Sequence, residues 1–197
     1  MTALPSNATL IVIDVQKGFD DPRWGRRNNP QAEANIKRIL EAWRRARMPV
    51  IHTQHCSTKT DSPLRPGVPG NAIKEIASPL PTELVLKKKV NSAFIGTELE
   101  SRLRSNQVDT VVLVGITTDH CVSTTARMAG NLGFDTYVVS DATATFDRTG
   151  PDGGSYKAEE IHAANLASLD KEFAKVIDTE ALLKKLTSDP STTNASW

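Results

Sequence analysis

Cysteine is scarce in this chain of 197 residues: only Cys56 and Cys121 are present. They could form one disulfide at most, so no disulfide framework holds the fold. Charge of one sign is lacking as well. Lys and Arg total 24 against 23 Asp and Glu, a net charge of +1. No strong field therefore draws the chain to nucleic acid or to an anionic membrane. No apolar run approaches the roughly 18 residues of a membrane span. The opening Met1-Thr2-Ala3-Leu4-Pro5-Ser6-Asn7 has no basic region followed by an apolar one, so it does not read as a signal peptide. These absences predict a cytoplasmic protein with two free thiols and a small-molecule partner.

What is present is the composition of an ordinary globule, with 39% hydrophobic and 24% charged residues. Apolar, β-branched runs recur at 9–13, 49–53, 84–86, 109–114, 137–139 and 174–177, as short strands buried on both faces would require. Helical signals separate them. Asn29-Pro30 is read as a helix start, and Ile36, Ile39, Leu40 and Trp43 fall on one stripe. Thr97-Glu98-Leu99-Glu100 has a capping-box pattern. Helices are also expected after Cys121, over about 156–169, and from Thr179. Strand and helix alternate throughout. The predicted class is α/β: a three-layer αβα, doubly wound, mostly parallel sheet of Rossmann-like form. Residues 1–186 are read as one domain, and the Ser-, Thr- and Asn-rich stretch 187–197 as a flexible tail. Loops at 19–29, 55–71 and 146–155 remain, the last a candidate lid.

In such a sheet, ligands bind beyond the C-terminal ends of the strands. Three reactive groups fall there. Asp14 follows the first strand, Lys87-Lys88-Lys89 follows the third, and Cys121 follows the fourth where a helix should begin. A helix N-terminus and a nearby ammonium both favour a thiolate. A carboxylate could take the thiol proton and return it to a leaving group. Each residue also has a plainer reading. Free cysteines are commonly inert core residues, an aspartate after a strand often caps a turn, and a lysine run is usually a solvated face.

Three blocks carry a resemblance: Leu10-Ile11-Val12-Ile13-Asp14-Val15-Gln16, then Lys88-Lys89-Val90-Asn91-Ser92-Ala93-Phe94, then Gly115-Ile116-Thr117-Thr118-Asp119-His120-Cys121-Val122. In this order they resemble the signature blocks of the isochorismatase-like cysteine hydrolases, over roughly residues 9–183. The resemblance implies the isochorismatase-like hydrolase fold and an Asp-Lys-Cys triad, with Asp14 the base, Lys88 the ammonium and Cys121 the nucleophile. Lys88 is selected over its neighbours because it stands four residues before Ser92. The resemblance further implies a cis peptide between Ile116 and Thr117. The Thr117 and Cys121 N–H groups would then form an oxyanion hole.

Because Cys121 is present, the resemblance favours the amidohydrolase branch, which cleaves a C–N bond of a small amide or ureido compound through a thioester. The alternatives are a vinyl-ether hydrolase of isochorismatase type, which needs no thiol, and a non-catalytic binding member. A homo-oligomer, dimer or tetramer, is expected on resemblance alone. Gln16, Phe19, Trp24, His55, Phe94 and Phe146 are the expected substrate contacts.

No cofactor and no metal are expected. Nicotinamidases of the family carry an Asp-x-His plus a further histidine as a metal site. The corresponding stretch here, Ile51-His52-Thr53-Gln54-His55-Cys56, lacks the aspartate. His52 is expected to be a satisfied core residue, His55 a pocket wall, His120 structural or at the entrance, and His162 a core or surface residue. Arg127 is expected to pair with a carboxylate, and Cys56 to be inert.

Overall fold

A computed structural model of the chain describes residues 3–187. Its strands, in chain order, are β1 (Thr9–Ile13), β2 (Val50–His55), β3 (Leu84–Lys88), β4 (Thr110–Ile116), β5 (Asp135–Ala144), β6 (Arg148–Thr149), β7 (Ser155–Tyr156) and β8 (Lys175–Ile177). Its helices are α1 (Ala32–Arg45), α2 (Leu99–Ser105), α3 (Ser123–Asn131), α4 (Ala158–Leu169) and α5 (Thr179–Thr187). Six strands form one sheet in the order β3-β2-β1-β4-β5-β8, every neighbouring pair parallel. The residues expected to form a tail lie, beyond Thr187, outside the described residues.

The strand alternation explains the three layers. Leu10, Val12, Val112, Val114 and Val139 point to one face, where Ile36, Ile39, Leu40 and Trp43 of α1 and Leu182 of α5 cover them. Ile11, Ile13, Val111, Leu113 and Val138 point to the other, against Leu99 and Leu103 of α2, Ala126 and Ala129 of α3, and Leu169 of α4. Both faces are covered, so the central strands read as unbroken apolar runs. Trp43 is fully buried, and its indole N–H donates to the Ala8 carbonyl at 3.1 Å. Among the described residues, no helix is long and apolar enough to cross a membrane.

β1 is the switch point of this sheet. The chain leaves it through α1 toward β2 and β3 on one side, and β4, β5 and β8 lie on the other. A crevice at the C-terminal ends of β1 and β4 follows from that reversal. Gly115 lets the two strands approach there: it has φ 131°, and a Cβ in its place would stand 2.0 Å from the Ile13 carbonyl oxygen.

Several boundaries differ from expectation. α1 begins at Ala32, not at Pro30, because Asn29 turns the chain with φ 44° and its side-chain amide donates to the Ser140 and Thr143 carbonyls. Thr97 makes no capping box; its hydroxyl donates to the Ala93 carbonyl and accepts from the Leu99 N–H just before α2. β2 extends to His55, which removes that residue from the loop. β5 continues to Ala144 past a register shift against β4 between Leu113 and Gly115. The expected lid is the two-stranded hairpin β6–β7.

Two loops are pinned to α1 by ion pairs. Glu33 on α1 receives both terminal nitrogens of Arg27 at 2.6 Å and Lys74 Nζ at 2.8 Å. Burial pushes its carboxyl upward, yet the two cations outweigh burial and hold its pKa at about 2. A carboxyl depressed on folding adds stability that is complete above its ordinary pKa and is lost as pH falls through the folded value. That stabilisation should disappear between pH 4.5 and about 2. Glu33→Gln is expected to lower stability at pH 7 by on the order of 2 kcal/mol. It should also flatten the acid limb of a urea-denaturation stability curve; an unchanged acid limb would contradict the assignment.

Candidate active site

The first residue after β1 is Asp14, in a left-handed turn at φ 50° and wholly buried. Its Oδ1 accepts the Thr53 hydroxyl at 2.6 Å, and its Oδ2 accepts Lys88 Nζ at 2.5 Å. Lys88 ends β3. Alternation along that strand exposes Lys87 and Lys89 and turns Lys88 inward, two positions after core residue Leu86. Neither side chain of the Asp14–Lys88 pair has accessible surface. Taking both charges out of water is costly unless each is paired and hydrogen-bonded. Lys88 meets that requirement: Nζ also donates to the Val90 carbonyl at 3.2 Å and to Cys121 Sγ at 3.4 Å, and lies 3.5 Å from His55 Nδ1.

Cys121 occupies a π-turn, Thr118–Val122, between β4 and α3. The peptide between Ile116 and Thr117 is cis. The thiol is 6% exposed. The expectation that it ionises easily is not met. Burial, and then the Asp14 carboxylate, push its pKa well above the usual thiol range, and the Lys88 ammonium opposes without prevailing. The resting group is therefore S–H, with the sulfur within 4.8 Å of the Asp14 carboxylate.

The sulfur opens into a cavity of about 320 Å³. Phe19, Trp24, His55, Thr117 and Cys121 line it, so the structure brings these predicted residues together. Gln16, Phe94 and Phe146 are not in its lining. Gln16 is fully buried; its amide donates to the His55 and Asn71 carbonyls and accepts the His55 N–H, which fixes the strand end instead of facing a ligand. Phe94 stacks on Phe134 at 5.9 Å. Phe146 stands behind Phe19 and Trp24, with ring centroids 6.2 and 5.8 Å away, as the base of an aromatic wall. Three larger clefts elsewhere, of about 620, 590 and 430 Å³, contain no cysteine in their linings.

Sequence reasoning passed over Thr53, Asn91, Lys59 and Arg148. Thr53 and His55 share a sheet face with Leu86 and Lys88, their β3 partners in register, so strand alternation held the signal for Thr53. Asn91 lies inside the second block, with Oδ1 3.9 Å from Cys121 Sγ. Lys59 reaches the cavity from a loop and Arg148 from the two-residue strand β6, too short for periodicity to announce a side chain's direction.

The remaining candidates resolve into structural parts. His52 turns to the α1 face and bonds Glu83 at 2.9 Å, and its Nδ1 has no partner, so it is satisfied on one nitrogen only. Burial lowers its pKa and keeps the ring neutral near pH 7. His162 lies 2.9 Å from the Thr118 hydroxyl, and His120 lines the cavity mouth. Arg127 finds no carboxylate among the described residues: it donates to Ser168 and lies over Phe173. Cys56 is buried, with its N–H on the Lys88 carbonyl at 2.7 Å.

Asp14, His55 and Cys121 bring one ligand atom each within 4.8 Å of one another. This set does not suit a metal, because the Lys88 ammonium already sits within hydrogen-bond reach of all three.

A parallel αβα sheet that carries carboxylate, ammonium and thiol at its switch point defines a class of α/β hydrolase. A family model described as Isochorismatase domain matches residues 8–181, and the chain belongs to the isochorismatase family. It is 52% identical over 174 residues to the isochorismatase family protein YrdC of Bacillus subtilis, covering 88% of this chain and 93% of that one. It is 32% identical over 196 residues to Nicotinamidase 3 of Arabidopsis thaliana, covering 91% and 88%. A crystal structure of an isochorismatase-family hydrolase from Chromobacterium violaceum superposes with a TM-score of 0.91 at 43% identity, covering 94% of this chain and 96% of that one.

The proton arrangement has a direct test. Asp14→Asn removes a negative charge that raises the thiol pKa and leaves the Lys88 cation in place. Alkylation of Cys121 by iodoacetamide at pH 7.5 should therefore be slow in the parent chain and about tenfold or more faster in Asp14→Asn, since each unit of pKa is a factor of ten in thiolate. Equal rates would refute this charge balance.

Proposed function

We propose that the protein is a cysteine amidohydrolase that cleaves a C–N bond of a small amide or ureido compound, without a metal or other cofactor. The observation that carries this reading is the single ammonium, Lys88, hydrogen-bonded to both Asp14 and Cys121 in one buried cleft. A binding module has no need of a thiol placed beside a base and a cation. Nicotinamidase 3, among the relatives, is named for hydrolysis of an amide.

The Lys88 hydrogen bonds to Asp14 and Cys121 support the following cycle. Asp14 takes the Cys121 proton as sulfur attacks the carbonyl carbon, so the S–C bond forms and the carbonyl electron pair moves to oxygen. The Thr117 and Cys121 N–H groups receive that oxyanion. Asp14 then gives its proton to the leaving nitrogen, the C–N bond breaks, and ammonia or an amine departs. Water, deprotonated by Asp14, attacks the thioester; the C–S bond breaks, the acid departs, and Asp14 returns the proton to sulfur to restore the thiol. Lys88 stays charged throughout. It holds the carboxylate in line and offsets the negative charge as the proton moves.

A panel of small amides and ureido acids with ammonia release as readout tests the reading. Cys121→Ala is expected to lose at least about a thousandfold in kcat/KM while keeping the parental denaturation midpoint. A chelator should leave the parental rate unchanged. Parental turnover by Cys121→Ala, combined with loss in Asp14→Asn, would overturn the proposal and favour vinyl-ether cleavage.

A further inference from the structure

The charge of the cavity lining points to the substrate. Among the described residues the lining holds Lys59 and Arg148 and no aspartate or glutamate. Arg148 is the first residue of the β6–β7 hairpin, and its guanidinium is clamped from behind. Nε donates to Asp119 Oδ2 at 2.8 Å, and Nη2 donates to Asp119 Oδ1 at 3.2 Å and to the Thr145 hydroxyl at 3.3 Å. Asp119 is held in turn by the Thr145 hydroxyl at 2.5 Å. It stands two residues before Cys121 on the same turn, so the clamp ties the guanidinium to the segment that carries the sulfur. Nη1 makes no hydrogen bond among the described residues, and the Lys59 ammonium has no acidic partner among them.

We infer that the substrate carries a carboxylate, and that Arg148 and Lys59 are the specificity-determining residues that bind it. The inference rests on the amidohydrolase reading above and names the substrate class. Asp119 cancels most of the Arg148 charge, so Arg148 contributes direction: a fixed planar donor edge. Lys59 supplies the uncompensated positive charge at the rim. An acidic side chain in the lining would repel such a substrate, and none is present among the described residues. The aromatic wall of Phe19 and Trp24 covers the apolar carbon chain between the carboxylate and the scissile amide.

Protection of Cys121 from alkylation tests this without requiring turnover. The probes are malonamate, succinamate and glutaramate, each beside its uncharged diamide. At least one acid is expected to slow alkylation of Cys121 at about 10–100-fold lower concentration than its diamide, the range of one or two charge-assisted hydrogen bonds. Arg148→Gln should remove this preference, and Arg148→Lys should restore only part of it, since an ammonium lacks the planar fork. Lys59→Gln, at an exposed position with no side-chain partner to lose, should reduce the preference and make it less sensitive to salt. Equal protection by acids and diamides, protection by none of the acids, or a preference that survives both neutral variants would each overturn the inference. Failure of the amidohydrolase reading appears separately, as missing ammonia release from every amide of the panel.

Discussion

The cleft is organised by one buried ion pair, Lys88 with Asp14. Neither side chain reaches solvent, so each charge depends on the other and on a few fixed partners. Thr53 supplies the second hydrogen bond to the carboxylate, and the Val90 carbonyl supplies another to the ammonium. Removing one member would leave the other charged and uncompensated in a low-dielectric interior. The same need for compensation places the thiol. Cys121 is a further neighbour of that ammonium, and its sulfur lies within 4.8 Å of the carboxylate that the ammonium holds. Replacing the pair with apolar residues could fill the volume, but it would leave nothing to exchange a proton with sulfur.

The sheet brings these groups together from distant parts of the chain. Asp14 and Lys88 are 74 residues apart, and Lys88 and Cys121 are 33 apart. All three emerge at the same edge because every strand of the sheet runs parallel, so each strand's C-terminal end faces one way. The reversal of strand order at β1 opens the crevice, and Gly115 allows the backbones of β1 and β4 to close beneath it. Side-chain alternation along β2 and β3 then selects Thr53, His55 and Lys88 for the inner face. It sends His52 to the opposite layer, where it meets Glu83.

That logic explains what could be read from residues alone. The alternation of strand and helix, the two covered faces, and the strand ends that carry Asp14, the lysine run and Cys121 were legible; the choice of Lys88 among three lysines rested on the resemblance, and strand order came only with the structure. Lys88, Thr53 and His55 follow the rule of two. The loops obey no such rule. Gln16 resembled a contact by its place in a block, yet its amide is spent on the backbone around His55. Phe94 and Phe146 were grouped with Phe19 and Trp24 by residue type, and only tertiary packing separates wall from backing. Arg148 could not be placed, because its direction depends on Asp119 and Thr145, partners far from it in pattern but near it in space.

The protonation of Cys121 changes the chemical argument. Reading from the helix start alone, the cation and the helix end should dominate; burial and the carboxylate outweigh them. A thiolate formed in advance would be a weaker nucleophile, because nucleophilicity falls with the pKa of the thiol. It would also leave Asp14 without the proton that the leaving nitrogen needs. A neutral thiol beside a charged carboxylate keeps both resources until a carbonyl arrives. In the proposed cycle, proton transfer and sulfur attack occur together, and the net charge of the buried site is unchanged as the oxyanion forms. In that proposed cycle the Lys88 ammonium faces a negative charge that passes from carboxylate to substrate, which places the demand for new stabilisation on the backbone N–H groups around Thr117 and Cys121.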